Sequence, residues 1–234
     1  MAERPIFIPN ISGRAAVTTR MVSFEWHPGM SLSQKQKSIA SLHQAAREQC
    51  QGIEKILEIS SKSLEDLGVR SSAFNLKWLS SVANFPISVE CAFQGSKVFL
   101  NGGPFTDLYE ARPIDAKRDV RLRSSGNLKA FDFDGGNWPI EPQTAFYDWL
   151  YISALRENPE IADAILSFDG FTDIEFNPKK SINCQAYSAA LFCSLYKQGM
   201  VDEVLEKRET FLNYCRSLDV SNARQDDTIQ GSLF

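Results

Sequence analysis

The chain contains few of the residues from which metal centres and disulfide frameworks are built. Its 234 residues include two histidines, and its five cysteines form no CxxC pair. Zinc sites use clustered Cys and His ligands, so no metal site and no cofactor is predicted. A nucleophilic cysteine is also disfavoured, because His27 and His43 both lie in the N-terminal part and leave a catalytic thiol without an evident base.

A long apolar run and a secretory leader are also missing. No segment approaches the ~20 apolar residues that span a bilayer, and the N-terminal stretch MAERPIFIPN lacks the apolar region of a signal peptide. These absences predict a cytoplasmic protein with no membrane partner. With 43% hydrophobic and 23% charged residues and no Gly/Ser/Pro-rich linker, the composition is typical of one globular domain with a sizeable core.

The net charge of −4 does not suggest a general nucleic-acid binder. One segment differs, because residues 111–129 carry six basic side chains against two acidic ones. Guanidinium groups bind phosphate oxygens bidentately, so this segment is a candidate phosphate cradle. A solvated surface loop explains the same charges equally well. The basic residues are Arg112, Lys117, Arg118, Arg121, Arg123 and Lys129.

The spacing of apolar residues predicts a single compact α+β domain that is mainly helical. Its small sheet is expected to include Leu57, Phe131 and Ile174, which lie in short alternating stretches. The alternation of Val22, Phe24 and Trp26 with polar residues predicts an edge strand near the N-terminus.

The boundaries of two helices are marked by specific residues. Ser33 with Gln36 matches a capping box, so a helix is expected from there to about Cys50. Ser63 is expected to begin a second, short helix, and Gly68 to end it, because glycine is the usual residue just beyond a helix C-terminus.

The stretch Pro86–Phe99 combines polar and apolar residues at regular intervals. Ser88 is a candidate N-cap and the apolar residues recur at helical spacing, so one helix is predicted for the whole stretch. Glu90, Gln94 and Lys97 fall at i, i+4 and i+7, so their side chains are expected to share one stripe of that helix. An ordinary amphipathic helix with a polar outer face accounts for the same spacing.

Those three polar residues are spaced as in the E-x-x-x-Q-x-x-K signature of the NADAR (YbiA-like) family. The segment PIDAKR, Pro113 to Arg118, is similar to the family's S/T-P-x-E-A-K-R segment, although Asp115 replaces the usual glutamate. Longer strings such as ECAFQGSKVF, AKRDVRLRSSG and EPQTAFYDWLY resemble the NADAR antitoxins paired with DNA-targeting ADP-ribosyltransferase toxins of the DarT type. The resemblance extends over most of residues 1–216.

The resemblance implies an enzyme that cleaves N-glycosidic bonds, including the bond between ADP-ribose and guanine. Such cleavage passes through an oxocarbenium-like ribose and needs negative charge near C1, a proton donor and donors for the diphosphate. The residues expected to be catalytic are Glu90, Lys97, Lys117 and Glu175. A lysine there either pairs with a carboxylate or attacks the sugar as an amine, and the sequence leaves both roles open. The residues expected to bind substrate are Gln94, Arg118, Arg121, Asp173 and Asn183.

The late segment GFTDIEFNPKKSIN contains Glu175, the second carboxylate expected to be catalytic. Its alternation predicts a strand from Phe171 to Phe176 with Asp173 and Glu175 on one face, although a solvated strand face has the same pattern. TDIEF is similar to the family's L-V-E block, with Glu175 at the matching glutamate, whereas NPKKSIN replaces the family's W-G-I-G. Asn183 resembles a family asparagine that binds ribose, but Ser181 or Asn183 is also a plain candidate for a helix cap.

These features predict an antitoxin that removes ADP-ribose from guanine bases of DNA and releases free ADP-ribose, with a cognate toxin as a further partner. Residues 1–68 are expected to be an N-terminal extension packed on the core, 69–216 the NADAR-like catalytic core, and 217–234 a disordered tail. Two alternatives stay open. One is an N-glycosidase that acts on a small ribosylamine, such as an intermediate of riboflavin metabolism, and the other is a noncatalytic antitoxin that sequesters its toxin.

Overall fold

Residues 1–10, 15–79 and 85–218 are described by a computed structural model of the chain. The N-terminal part alternates strands and helices. Its elements are β1 (Ala2–Pro9), β2 (Val17–Phe24), α1 (Leu32–Gln49), β3 (Ile56–Glu58) and α2 (Asp66–Arg70).

The middle of the chain consists of short elements joined by tight connections. They are β4 (Lys77–Leu79), β5 (Pro86–Ser88), α3 (Val89–Gly95), β6 (Lys97–Phe99), a 3-10 helix (Thr106–Glu110), α4 (Pro113–Arg118), α5 (Arg121–Ser124), β7 (Leu128–Phe133) and β8 (Gly136–Pro139). The C-terminal part is helical except for one strand. Its elements are α6 (Ala145–Arg156), α7 (Pro159–Ile165), β9 (Gly170–Thr172), α8 (Gln185–Lys197), α9 (Val201–Leu205) and α10 (Arg208–Ser217).

One sheet combines strands from both ends of the chain, in the order β2–β1–β9–β3. β1 runs antiparallel to β2 and to β9, and β3 runs parallel to β9 with Leu57 opposite Phe171. The edge strand predicted from Val22, Phe24 and Trp26 is confirmed, because β2 lies at one margin of this sheet, but it ends at Phe24 and does not include Trp26. Smaller sheets pair β4 with β5 and join β6, β7 and β8.

The core has two parts. In the larger one, around α6, α8 and the β6–β7–β8 sheet, the rings of Phe131 and Phe146 stack with centroids 4.6 Å apart. The smaller one lies between α1 and the first sheet and includes Ile6, Leu42 and Ile174. The result is a single compact α+β domain, which confirms the predicted fold class. Leu57 and Phe131 lie in strands as predicted, but in different sheets, and Ile174 follows β9 in a turn.

The predicted end of α1 at about Cys50 is confirmed, because Cys50 is its C-cap. The predicted start of α1 and both predicted ends of α2 are wrong, since Glu65 and not Ser63 is the N-cap of α2. α1 is capped by Ser31, whose Oγ accepts a hydrogen bond from the Gln34 amide, so the helix starts before the predicted capping box. Gly68 lies inside α2 and does not end it. A Cβ at Gly68 would lie 2.0 Å from the carbonyl oxygen of Glu58, so glycine is required there for the close approach of α2 to the end of β3.

A strand, a helix and a second strand replace the single helix predicted for Pro86–Phe99. Ser88 is the N-cap as predicted, since its Oγ accepts from the Cys91 amide at 3.2 Å. α3 ends at Gly95 because the following residues leave the helix to pair with β7, which puts Lys97 opposite Phe131. All residues of α3 are buried, so the amphipathic-helix interpretation is wrong as well.

Residues 1–68, the predicted N-terminal extension, contribute three of the four strands in the first sheet, and their division from residues 69–216 stays a prediction. Of the predicted tail, 217–234, residues 219–234 lie outside the described residues. Within the described ranges, no helix has both the length and the apolar character that crossing a membrane requires.

Candidate active site

Glu90 lies in the first turn of α3 and is only 5% exposed. Gln94, one turn later, donates a hydrogen bond from Nε2 to the Glu90 Oε1 at 2.9 Å, so the carboxylate has a fixed orientation. The Gln94 Oε1 is buried and has no hydrogen-bond partner within the part of the chain that the structure describes. A buried amide oxygen of this kind is available to a donor group of a ligand.

Lys97 reaches the same place from β6, although it does not lie on the helix. Its side chain is 2% exposed, and its Nζ lies 4.7 Å from the centroid of the Phe93 ring. Burial lowers the pKa of Lys97 to about 8, while the nearby Glu90 carboxylate raises it and the Lys117 charge lowers it further. Lys97 therefore carries an appreciable fraction of neutral amine near physiological pH.

Lys117, on α4, is the accessible member of the group. Its Nζ lies 3.8 Å from the Glu90 Oε1 and 5.4 Å from the centroid of the Phe74 ring, and its side chain is 55% exposed. The carboxylate therefore has one buried and one half-exposed lysine close by, and only Lys117 is positioned to reach both Glu90 and solvent.

Asp173 belongs to this cluster and is held by neutral groups. It follows β9, is buried, and accepts hydrogen bonds from the Gln185 Nε2 at 2.9 Å and from the Glu175 amide at 3.0 Å. Burial raises the pKa of Asp173, and the Lys117 charge works in the opposite direction. Sequence reasoning missed Gln185, because a glutamine at the start of a helix has no pattern that indicates a carboxylate partner.

Glu175 points elsewhere. Its side chain is 47% exposed, and its Oε1 lies 3.0 Å from the Lys35 Nζ on α1. The predicted strand that would carry Asp173 and Glu175 on one face is wrong, because β9 ends at Thr172 and the chain turns there. The structure thus brings Glu90, Gln94, Lys97, Lys117 and Asp173 together and leaves Glu175 on the surface beside them.

The basic segment is only partly available for a ligand. Arg121 lies 2.6 Å from Asp107 and 2.9 Å from Asp119, with its guanidinium over the Phe105 ring. Arg112 pairs with Asp115 at 2.5 Å. Arg118 is exposed at the end of α4, one residue from Lys117. Lys117, beside Glu90, and its exposed neighbour Arg118 therefore remain candidates for an anion at this site, while Arg123 and Lys129 are exposed elsewhere in the segment.

Asn183 does not cap a helix, and neither does Ser181, because the N-cap of α8 is Cys184. The Asn183 Oδ1 is buried and has no hydrogen-bond partner among the described residues. The predicted ribose contact of Asn183 therefore stays a prediction.

A cleft of about 530 Å³ lies along α3 on the side of Cys91 and Gly95. Gly95 is required there, because a Cβ would lie 2.4 Å from the Tyr109 ring. Phe74 links the cleft to the cluster, since its ring also contacts Lys117. The lining consists of Phe74, Lys77, Phe85, Pro86, Ser88, Cys91, Tyr109, Glu110, Ala111 and Pro113.

No group of His, Cys, Asp or Glu side chains suited to a metal ion occurs in residues 1–10, 15–79 and 85–218. The arrangement is instead one of buried carboxylates and lysines next to an aromatic cleft.

No curated protein matches the chain. A family model matches residues 2–225, and its description is DarT1-associated NADAR antitoxin. Because this match spans nearly the whole sequence, the chain belongs to the family of DarT1-associated NADAR antitoxins.

Proposed function

We propose that this protein hydrolyses the N-glycosidic bond between ADP-ribose and guanine in ADP-ribosylated DNA, in the cytoplasm, as the antidote to a DarT-type toxin. The observation that carries the proposal is the buried Glu90 carboxylate with Lys97 and Lys117 within its electrostatic reach. Membership of a DarT1-associated antitoxin family supports the toxin as partner and the modified DNA as substrate.

Glu90 suits the charge that develops during this reaction. As the bond between C1 and the base breaks, the ribose carbon becomes positive. A carboxylate in a buried site of low dielectric stabilises such a charge more than water does, provided that it is already oriented. The hydrogen bond from Gln94 supplies that orientation. The electron pair of the broken bond and one proton leave with the base, and a water oxygen bonds to C1.

The two lysines differ in environment and are assigned different roles. Lys117 and the exposed Arg118 bind the diphosphate, because both reach solvent at the end of α4. Lys97, with its pKa lowered to about 8, supports a second route in which its neutral amine bonds to C1 as the protonated base leaves. After the new C–N bond has lost one proton, the bond between C1 and the ring oxygen opens, and its electron pair and the second amine proton go to that oxygen, which gives an imine. Water adds to the imine carbon, and ADP-ribose leaves as the lysine amine is restored.

The aromatic cleft is proposed to hold the guanine base and the adjacent nucleotide. Its volume of about 530 Å³ falls within the range of ordinary ligand pockets. Phe74, Phe85 and Tyr109 supply rings for stacking, which is worth about 1–3 kcal/mol per base. The contact of Phe74 with Lys117 connects this cleft to the reacting groups.

The test is to incubate the purified protein with a single-stranded oligonucleotide that carries one ADP-ribosylated guanine and to measure free ADP-ribose. The parent protein is expected to release it, and Glu90→Gln to lower kcat about 10²- to 10⁴-fold with ADP-ribose affinity nearly unchanged. Glu160→Gln is the matched control, because Glu160 also lies in the first turn of a helix but is exposed. Neutralisation of the toxin without release of ADP-ribose, or parental turnover by Glu90→Gln, would contradict the proposal.

A further inference from the structure

Tyr147 is a buried aromatic residue with no role in the reaction proposed above. It lies in the first turn of α6 and is 6% exposed. Its ring packs edge-on against the Phe93 ring of α3, with centroids 5.1 Å apart. The Lys97 Nζ lies 4.7 Å from the centroid of the same Phe93 ring, and Glu90 precedes Phe93 by about one helical turn. The packing of α6 on α3 therefore puts Tyr147 beside the candidate active site.

The hydroxyl group of Tyr147 faces the carboxylates of that site. Burial raises the pKa of the Tyr147 hydroxyl well above its ordinary value, and the charges of Glu90 and Asp173 raise it further. Both carboxylates therefore lie close enough to act on the hydroxyl, Glu90 from α3 and Asp173 from the turn after β9. The hydroxyl keeps its proton at physiological pH, so it is able to donate a hydrogen bond.

That hydroxyl has no hydrogen-bond partner in the ranges of the chain that the structure describes. Tyr151, one turn later on the same helix, is fully buried, and its hydroxyl donates to the Ser71 carbonyl at 2.7 Å. A buried tyrosine hydroxyl normally has such a partner, because an unpaired one costs free energy. A phenylalanine at position 147 would keep the ring contact, so the fold alone gives the hydroxyl no purpose.

Gln94 supplies a second unpaired polar atom near Glu90. Its Nε2 donates to the Glu90 carboxylate, while its Oε1 is buried and unbonded among the residues that the structure describes. An amide oxygen can only accept, whereas the hydroxyl of Tyr147 can donate. A hydroxyl group of a ligand complements both, since it can donate to Gln94 and accept from Tyr147. Ribose carries such a group on C2, next to the carbon at which the proposed reaction breaks its bond.

We infer that the Tyr147 hydroxyl donates a hydrogen bond to the 2-hydroxyl of the ribose that is linked to guanine, and that this 2-hydroxyl donates to the Gln94 Oε1. The inference rests on the proposed function, which puts C1 of that ribose at Glu90. Tyr147 binds the sugar through this contact and takes no proton from it.

The contact distinguishes the two sugars of the proposed substrate. The modified guanine is bonded to the deoxyribose of the DNA strand and to the ribose of ADP-ribose, and both bonds are N-glycosidic. Only the ribose has a 2-hydroxyl. A site that hydrogen-bonds a substrate hydroxyl disfavours an analogue without it, because buried polar groups then stay unpaired. Tyr147 and Gln94 therefore direct cleavage to the ADP-ribose bond and leave the sugar of the strand attached to its base.

Tyr147→Phe in the full chain removes the hydroxyl and keeps the ring. Calorimetry is expected to show affinity for free ADP-ribose weakened about 3- to 10-fold, which is the usual effect of one hydrogen bond. The second ligand is ADP-ribose without the 2-hydroxyl on its terminal ribose, and its affinity is expected to stay parental. With the modified oligonucleotide, KM is expected to rise by a similar factor and kcat to change less than about twofold. The melting temperature should not fall, because the hydroxyl has no partner in the fold.

Tyr151→Phe is the matched control, because it removes a hydroxyl from the same helix that is bonded to Ser71. It is expected to lower the melting temperature and to leave the affinity for both ligands parental. Parental affinity for ADP-ribose in Tyr147→Phe, or equal losses for the two ligands, would overturn the inference. Equal affinity of the parent protein for the two ligands would overturn it even if Tyr147→Phe fails to fold.

Calorimetry needs no turnover, so the inference and the proposed function can fail separately. A preference for ADP-ribose over the analogue that Tyr147→Phe abolishes, in a parent that releases no ADP-ribose from the oligonucleotide, would uphold the contact and contradict the proposed hydrolysis. Turnover by a parent that binds both ligands equally would uphold the hydrolysis and remove Tyr147 from it.

Discussion

The Lys117 ammonium lies 3.8 Å from the Glu90 carboxylate, and the two side chains differ sharply in exposure. Glu90 is buried and fixed by Gln94, whereas about half of the Lys117 side chain reaches solvent. In the proposed function, Lys117 exchanges its contact with the carboxylate for one with a phosphate of the substrate. Lys97 is buried and has no such access to solvent, so the two lysines are expected to behave differently.

Borohydride added during turnover is expected to attach ADP-ribose to Lys97 and not to Lys117. Lys97 has its pKa lowered to about 8 by burial, so roughly one tenth of it is neutral at pH 7 and the fraction grows as pH rises. The trapped amount is therefore expected to increase from pH 6 to about pH 8. Peptide mass spectrometry locates the label, and Lys97→Arg serves as the control that keeps the charge and removes the nucleophile. A label on Lys117, or parental turnover by Lys97→Arg, would rule out the imine on Lys97.

Phe85→Ala is expected to weaken binding of the modified oligonucleotide roughly tenfold and to leave the affinity for free ADP-ribose unchanged, because the lost ring would stack on a base. Fluorescence anisotropy measures oligonucleotide binding by the Glu90→Gln variant with and without Phe85→Ala. Calorimetry measures the affinity for free ADP-ribose. Phe168→Ala removes another half-buried ring, outside the cleft, and is the control. Equal losses for oligonucleotide and ADP-ribose would show that the cleft does not bind the DNA part of the substrate.

Arg118→Ala and Arg121→Ala are expected to have different effects on ADP-ribose binding, although each removes a cation from the same segment. Arg118 is exposed beside Lys117, so its loss should weaken ADP-ribose binding, with a smaller deficit at high salt. Arg121 is engaged by Asp107 and Asp119, so its loss should lower the melting temperature and leave binding largely intact. Titration calorimetry at two salt concentrations and thermal unfolding measure the two effects. Unchanged affinity in Arg118→Ala would remove it from the site.

The free energy of unfolding is expected to fall as pH rises from about 4 to about 7. Burial raises the pKa of Asp148 to about 7, although its hydrogen bonds with Ser188 and Thr144 oppose the shift. The folded state then retains a proton that the unfolded chain releases, so stability is lost as pH rises through this window. For this buried group the loss is on the order of 3 kcal/mol, and Asp148→Asn should remove it. Urea unfolding at pH 5 and pH 8 measures it, with the exposed Asp202→Asn as control. A parental difference between the two pH values in Asp148→Asn would contradict this assignment.

Local signals in the sequence predicted only part of the local structure. Ser88 caps α3, and Glu90 and Gln94 lie one helical turn apart in contact, as their spacing indicates. Lys97 lies near Glu90 as predicted, but helical spacing is not the reason. The chain leaves the helix after Gly95, and Lys97 lies in β6, which pairs with β7. Tyr147 could not have been identified, since it lies on a different helix from Glu90 and reaches the site only through the packing of α6 on α3.

Phe171 in β9 pairs with Phe7 on one side and with Leu57 on the other. This pairing has a consequence for the synthesis of the protein. Both neighbours leave the ribosome more than a hundred residues before β9, a delay on the order of ten seconds at usual elongation rates. Until β9 has been synthesised, the edges of β1 and β3 that pair with it have no partner strand. A nascent or prematurely terminated chain therefore exposes strand edges of the kind that aggregate or recruit proteases. Completion of the first sheet therefore waits until Gly170–Thr172 have been translated.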